Sequence, residues 1–143
     1  MLQQKLSQLG NKKLCPIAIF IRNRKILLGL RHYASDKWKT ISVWTCPGGR
    51  GDENETIEET LRREVAEETG IVDFEIIQYL GEVPGAKEGD IVLLFFCQTS
   101  QSPRLMEPEK FSEWQWFSVN ELPKNYINND VEKVIVKFLN ELP

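Results

Sequence analysis

The chain has 143 residues, 41% of them hydrophobic and 27% charged, with a formal net charge of −3. That length holds one domain with a sizeable core and falls short of two ordinary ones, so a single domain over residues 1–143 is expected. The charge argues against a broad surface for a nucleic acid polymer, and no apolar run reaches the roughly 18 residues that would span a bilayer.

The start, Met1 to Leu14, is polar and lacks the apolar stretch of a secretory signal. Leu14 to Ile21 is a β-branched apolar run, and Lys25 to Leu30 follows the polar Arg22-Asn23-Arg24; the two read as a β-hairpin. Ile41 to Cys46 is a third short strand leading into Pro47-Gly48-Gly49-Arg50-Gly51. That loop has little side chain in the way, so its backbone can approach a metal or a phosphate closely. A helix is predicted from Ile57 to Thr69, with Thr56 as N-cap, Glu59 completing a capping box and Gly70 at the C-terminal cap.

Phe74 to Leu80 and Ile91 to Gln98 read as further strands, the second almost wholly apolar and therefore central. Between them lies the turn-rich Pro84-Gly85-Ala86-Lys87-Glu88-Gly89. Trp114 to Phe117 is a short strand with Trp114 and Trp116 on one face and Phe117 on the other. From Asp130 to Leu139, apolar residues fall at helical spacing, so a last helix should pack one face on the sheet. The pattern is that of an α/β mixed sheet flanked by helices.

The chemistry concentrates between Gly49 and Ile71. Gly49, Glu55, Arg63, Glu64, Val65, Glu67, Glu68, Gly70 and Ile71 stand at the fixed offsets of a loop-then-helix metal site. On a helical wheel with Glu64 at zero, Glu68 lies at about 40°, Glu67 at about −60°, and Ile57, Leu61 and Val65 at about 20°, 60° and 100°. The stripe that faces the core therefore contains Glu68 and borders Glu64. Carboxylates held there would protonate or destabilise the fold unless a cation sat among them, and hard Mg2+ or Mn2+ suits carboxylate oxygen. A charge run alone is ordinarily a solvated helix face, laced by pairs such as Glu58 with Arg62 and Glu59 with Arg63. The flanking glycines and Glu55 at fixed spacing set this segment apart.

Position for position, the segment resembles the signature of the Nudix hydrolase family. Its flanks, Pro47-Gly48-Gly49 and Glu55-Thr56, are similar too, with Asp52 where Glu is common and Asn54 where Gly often stands. A weaker likeness to MutT-like members that act on nucleoside triphosphates covers Met106 to Lys110 and Glu113 to Trp116. The resemblance implies the family's α/β/α sandwich, with the mixed β-sheet between helices. It implies Glu64, Glu67 and Glu68 as ligands of Mg2+, with Mn2+ as a substitute, and a backbone carbonyl of Gly48 or Gly49 as another. Glu64, Glu67 and Arg63 form the catalytic set, Arg63 by orienting the glutamates through a bidentate contact. Glu55 and Gly70 take supporting roles. A further carboxylate often joins from the later half of the chain. Here that position falls on Lys110, with Glu107, Glu109 and Glu113 as neighbours, and the general base stays open among these and Glu64, Glu67 and Glu68.

Arg31 and His32 follow the second strand, where cations reach phosphate, although a lone loop histidine is ordinarily a surface group. Trp38, Trp44, Trp114 and Trp116 are each candidates for base stacking or core packing, with Trp44, entering the glycine loop, the best placed to stack. Cys15, Cys46 and Cys97 sit in or beside apolar runs without metal-ligand spacing, as reduced thiols of a cytoplasmic protein would. The expected function is divalent-metal-dependent hydrolysis of a nucleoside triphosphate, standard or oxidised, to the monophosphate and pyrophosphate. ADP-ribose or a nucleotide sugar is the alternative substrate. Isoprenoid diphosphate isomerisation and a non-catalytic nucleotide-binding module have weaker cases. The expected partners are a nucleotide and, at most, a second copy of the chain, with neither a nucleic acid polymer nor a membrane.

Overall fold

The computed structural model describes residues 1–32, 43–85, 87–125 and 128–142. In chain order these form α1 (Leu2–Ser7), β1 (Leu14–Arg22), β2 (Lys25–Arg31), β3 (Val43–Thr45), α2 (Ile57–Thr69), β4 (Glu75–Pro84), β5 (Ile91–Gln98), β6 (Phe111–Ser118) and α3 (Asn129–Glu141). Residues 41 and 42 of the expected third strand, and Trp38, lie outside the described residues.

The sheet is mixed and runs β3-β2-β1-β5-β4, with β6 on the free edge of β2. β1 and β5 are parallel, from Leu14↔Ile91 to Phe20↔Cys97, and every other pairing is antiparallel. β1 and β2 pair only at their hairpin end, Ile21↔Ile26 and Arg22↔Lys25, where Asn23 and Arg24 both take positive φ. Beyond that point the strands diverge, and β3 takes the edge of β2 at Gly29, Leu30 and Arg31. The chain leaving β3 then lies along the first half of β1. Ala18 N–H donates to Pro47 O at 2.8 Å, Gly49 N–H to Pro16 O at 3.1 Å and Gly51 N–H to Leu14 O at 3.0 Å. β1 is thus the rail on which the glycine loop rests.

Alternation along β1 divides the core. Ala18 and Phe20 face α1 and α2, against Leu6, Ile57, Leu61 and Val65. Ile17 and Ile19 face α3, against Val131 and Ile135. Helices therefore cover both faces, as the α/β/α expectation holds. Trp114 and Trp116 fall on the α2 side and Phe117 on the α3 side, the facing read from the alternation of β6.

α2 matches its predicted span. Thr56 Oγ1 accepts from Glu59 N–H at 3.2 Å and Glu59 Oε1 accepts from Thr56 N–H at 2.9 Å, a complete capping box. At the far end Gly70 takes φ +74°, and a side chain there would meet the Arg104 guanidinium at 2.9 Å. Arg104 also supplies the cation that the helix C-terminus favours and that the last turn lacks. Of the two pairs four apart that an ordinary solvated face would show, Glu58–Arg62 forms at 2.8 Å. Glu59–Arg63 does not: Glu59 is engaged by the cap, and Arg63 turns to other carboxylates.

Three elements depart from expectation. α1 is six residues with one buried side chain, Leu6, too short to show a period. It is followed by a strap in which Gly10 N–H donates to Glu55 O at 2.8 Å and Ile57 N–H to Gln8 O at 2.9 Å. β4 continues past Leu80 to Pro84, paired with Ile91, and carries two register shifts, Ile76/Gln78 and Tyr79/Gly81, that break its alternation. β6 starts at Phe111, three residues before its first tryptophan.

α3 is capped by Asn128, whose Oδ1 accepts from Asp130 N–H at 2.9 Å and Val131 N–H at 3.3 Å, while Nδ2 donates to Pro84 O at 2.9 Å. One side chain thus caps the helix and ties it to the end of β4. Replacing Asn128 with Ala should cost about 1–2 kcal/mol, lowering the melting temperature by roughly 3–6 °C. Asn128→Asp keeps the cap acceptor and should lose less. Thermal unfolding of both variants checks the order.

Candidate active site

Two glycines of the loop are fixed by contact. Gly48 has φ +142°, and a Cβ on it would sit 2.6 Å from Ile17 Cα. Gly49 has no room either, because a Cβ there would be 2.7 Å from the carboxyl carbon of Glu64. The loop backbone therefore touches β1 on one side and the acidic edge of α2 on the other.

The helical wheel is confirmed in the burial of α2. Ile57, Leu61 and Val65 are fully buried, and Glu68 is buried with them at 6% exposure. Glu68 Oε1 accepts Gly48 N–H at 2.9 Å. Burial pushes the Glu68 carboxyl up to about 8; the charges of Glu64 and Glu107 add to the shift, while the Gly48 N–H and the Arg31 charge oppose it. Burial also raises the Glu64 carboxyl, with Glu67 contributing and Arg63 opposing.

Arg63 joins the carboxylates. Its Nε donates to Glu55 Oε2 at 2.7 Å and its Nη2 to Glu55 Oε1 at 2.9 Å, a planar fork. The remaining nitrogen, Nη1, reaches Glu64 Oε1 at 3.1 Å and Glu67 Oε1 at 3.3 Å. The fork holds the Glu55 carboxyl below the usual range and raises Arg63 well above its own. Among the described residues no three acidic or other metal-ligating side chains already converge as a cage. Glu64, Glu67 and Glu68 are brought to one edge of α2, compensated there by Arg63 and the Gly48 N–H.

The loop before β6 adds a group that sequence reasoning left among three. Glu107 is partly buried, Glu109 and Glu113 are exposed, and Glu107 Oε1 is buried without a hydrogen-bond partner. Its Oε2 lies 3.5 Å from Lys110 Nζ, and the Lys110 charge also acts on Glu64. Lys110 thus stands beside the acid rather than in place of it.

Arg31 shares a cavity of about 180 Å3 with Gly49, Arg50, Asp90, Cys15 and Cys46. There Arg50 is held by Asp90, Nη1 to Oδ1 at 2.9 Å, and by Lys12 O, so the β4–β5 turn is pinned to the glycine loop. A larger cavity, about 640 Å3, lies at the other end of β1 around Arg22, Asn23 and Phe96, with no residue of the acidic edge. Trp44 packs edge-on against Phe117, centroids 4.6 Å apart, and is not among the side chains lining the Arg31 cavity. Trp114 covers Gly29, and Trp116 lies under Arg22, so both pack within the fold. His32 is exposed, and its N–H donates to Lys110 O at 2.8 Å. Burial pushes the Cys46 thiol up to about 12 and raises Cys97 as well, the opposite of an activated nucleophile.

The chain is similar to known proteins in both sequence and fold. Among curated proteins, an NAD-capped RNA hydrolase NudC of Vibrio atlanticus is 32% identical over 107 residues, covering 75% of this chain and 38% of that protein. The chain thus spans about two fifths of the length of the NudC relatives it matches. An 8-oxo-dGTP diphosphatase of Buchnera aphidicola is 28% identical over 131 residues, covering 83% of this chain and 92% of that one. In fold, a MutT NUDIX hydrolase from Burkholderia pseudomallei matches with TM-score 0.70 at 24% identity, over 87% of this chain and 95% of that structure. The profile of the NUDIX domain matches residues 14–138, the whole span from β1 into α3. With the glycine loop, the forked arginine and the buried glutamate edge all inside that span, the chain belongs to the Nudix family.

Proposed function

We propose that the protein hydrolyses a nucleoside triphosphate to the monophosphate and pyrophosphate with Mg2+, and that Mn2+ can replace it. The observation that carries this reading is the crowding of Glu68, Glu64 and Glu107. One carboxylate is buried and pushed to about 8, and another has an oxygen buried with no partner. Such a set suits a hard divalent cation and is unfavourable without one. Glu64, Glu67 and Glu68 would hold it, with a carbonyl of Gly48 or Gly49 and with Glu107 facing them from the opposite loop. When bound, the ion supplies charge neutralisation on the phosphates and acidifies the attacking water.

The chain's own groups do the rest. Water attacks one phosphorus of the anhydride, the bridging P–O bond breaks, and pyrophosphate leaves. The water proton passes to a carboxylate of the cluster. Arg63 fixes Glu64 and Glu67 and touches no substrate. Arg31, in the cavity beside Gly49, offers its charge to the phosphates. Trp44 packs in the fold, so stacking of the base falls to it only if it leaves Phe117.

A small nucleotide is favoured because the 8-oxo-dGTP diphosphatase relative is covered over 92% of its length, whereas the NudC relatives are covered over less than half. Those relatives make an NAD-capped RNA the second substrate to measure, beside ADP-ribose and nucleotide sugars. Standard and oxidised nucleoside triphosphates should release pyrophosphate, not orthophosphate, in the presence of Mg2+. Orthophosphate from every triphosphate tested would overturn the assignment.

Glu67→Gln should lower kcat by about 100-fold or more with the melting temperature little changed, because the side chain is 48% exposed. Turnover equal to wild type refutes the role. In protein stripped of divalent ions, the folded Glu68 carboxyl titrates near 8 and the unfolded one near the ordinary 4.5. The folded state therefore binds the proton more tightly, and stability falls as pH rises between those values. Glu68→Gln keeps an acceptor for Gly48 N–H and removes the charge. In chelator it should melt about 3 °C or more above wild type at pH 8, with the gap closing near pH 4.5. Melting curves at both pH values decide this.

A further inference from the structure

Thr60 is outside the fixed positions of the glycine-to-isoleucine motif, yet it is fully buried beside the site. A buried threonine inside a helix ordinarily donates its hydroxyl to the carbonyl four residues back. Thr69 does so in this helix, to Val65 O at 2.7 Å. Thr60 instead donates to Glu55 Oε1 at 2.9 Å, the same oxygen that accepts Arg63 Nη2. The hydroxyl is also close under the glycine loop, 3.3 Å from where a Cβ on Gly51 would be.

Glu55 stands in the segment before α2, and two things fix it. Its carbonyl is held by Gly10 N–H from the strap after α1, and its carboxylate by the Thr60 hydroxyl. A two-toothed contact with a guanidinium requires the carboxylate plane to match the guanidinium plane. Thr60 sets that plane from a rigid, buried position, leaving Glu55 to hold Nε and Nη2 of Arg63. Only Nη1 then faces Glu64 and Glu67. A carboxylate free to turn would release the guanidinium onto those two glutamates, where it competes with a cation for the same oxygens.

We infer that Thr60 is a positioning residue of the active site, acting through Glu55 and Arg63 to keep Glu64 and Glu67 available to the divalent ion. This rests on the reading of those glutamates as metal ligands. The test is Mn2+ binding to the chelator-stripped protein, followed by electron paramagnetic resonance, with melting temperature and nucleotide kinetics alongside. Thr60→Ala is the informative variant, because alanine is the better helix former and weaker binding cannot then come from a lost helix.

Thr60→Ala should raise the Mn2+ dissociation constant about 3- to 10-fold and lower kcat at fixed subsaturating Mg2+ by a similar factor. The KM for nucleotide should move less than about 2-fold. Thr60→Ser, which keeps the hydroxyl, should restore Mn2+ affinity to near wild type. On a Glu55→Gln background, Thr60→Ala should add little, since the fork is already weakened. Mn2+ affinity unchanged in Thr60→Ala, or Thr60→Ser as impaired as Thr60→Ala, overturns the inference while wild-type binding stands. Wild-type protein with no Mn2+ affinity overturns the underlying metal reading instead.

Discussion

A hydrogen bond from Gly48 N–H to the buried carboxylate of Glu68 joins the glycine loop to α2. It exists because Gly48 lies against Ile17 of β1 with a φ of +142°, a place and a conformation that no side chain tolerates. From that contact the other distances follow. The loop is held at β1 by Pro47, Gly49 and Gly51, and α2 is brought close enough for Glu64 to rest on Gly49. The strand supplies the reference plane, the loop supplies backbone, and the helix supplies charge.

The electrostatics of the site are those of an unfinished neutralisation. Five acidic groups, Glu55, Glu64, Glu67, Glu68 and Glu107, share the neighbourhood of one forked arginine and two more distant cations, Arg31 and Lys110. Arg63 satisfies Glu55 fully and Glu64 and Glu67 in part. Glu68 sits deepest and receives the Gly48 amide dipole and the more distant charge of Arg31. The gradient runs from a carboxyl held low at the edge of the loop to one pushed up beneath it. The underneutralised end is the one that lies beneath the glycine loop.

Most of this was legible because the motif couples spacing to geometry. The capping box at Thr56 and Glu59, the left-handed Gly70 and the coreward Glu68 follow from helix periodicity and cap chemistry, both local. What escaped depended on contacts distant in sequence. Glu107 could not be separated from Glu109 and Glu113, since only the path of its loop buries one of the three. Arg63 is expected to fork onto the helix glutamates, but the loop brings Glu55 within reach and the fork falls there, leaving one nitrogen for Glu64 and Glu67. Trp44 looked like a stacking platform from its place before the glycines, and its partner proved to be Phe117 across the sheet. β4 was cut short because its two bulges disturb the alternation by which a strand is recognised.

The parallel pairing of β1 with β5 has a consequence for how the protein comes to be. Nearly half of the chain separates these strands, so joining them closes a long loop, whose entropy must be offset before the contacts return anything. α2 and its cap can form early, from residues close together. The rail on which the glycine loop rests is not fixed until β5 has arrived, and Glu107 lies later still. A chain emerging from the ribosome therefore carries its glutamates and Arg63 well before it has a pocket to use them in. The site is completed late, with the closing of the sheet.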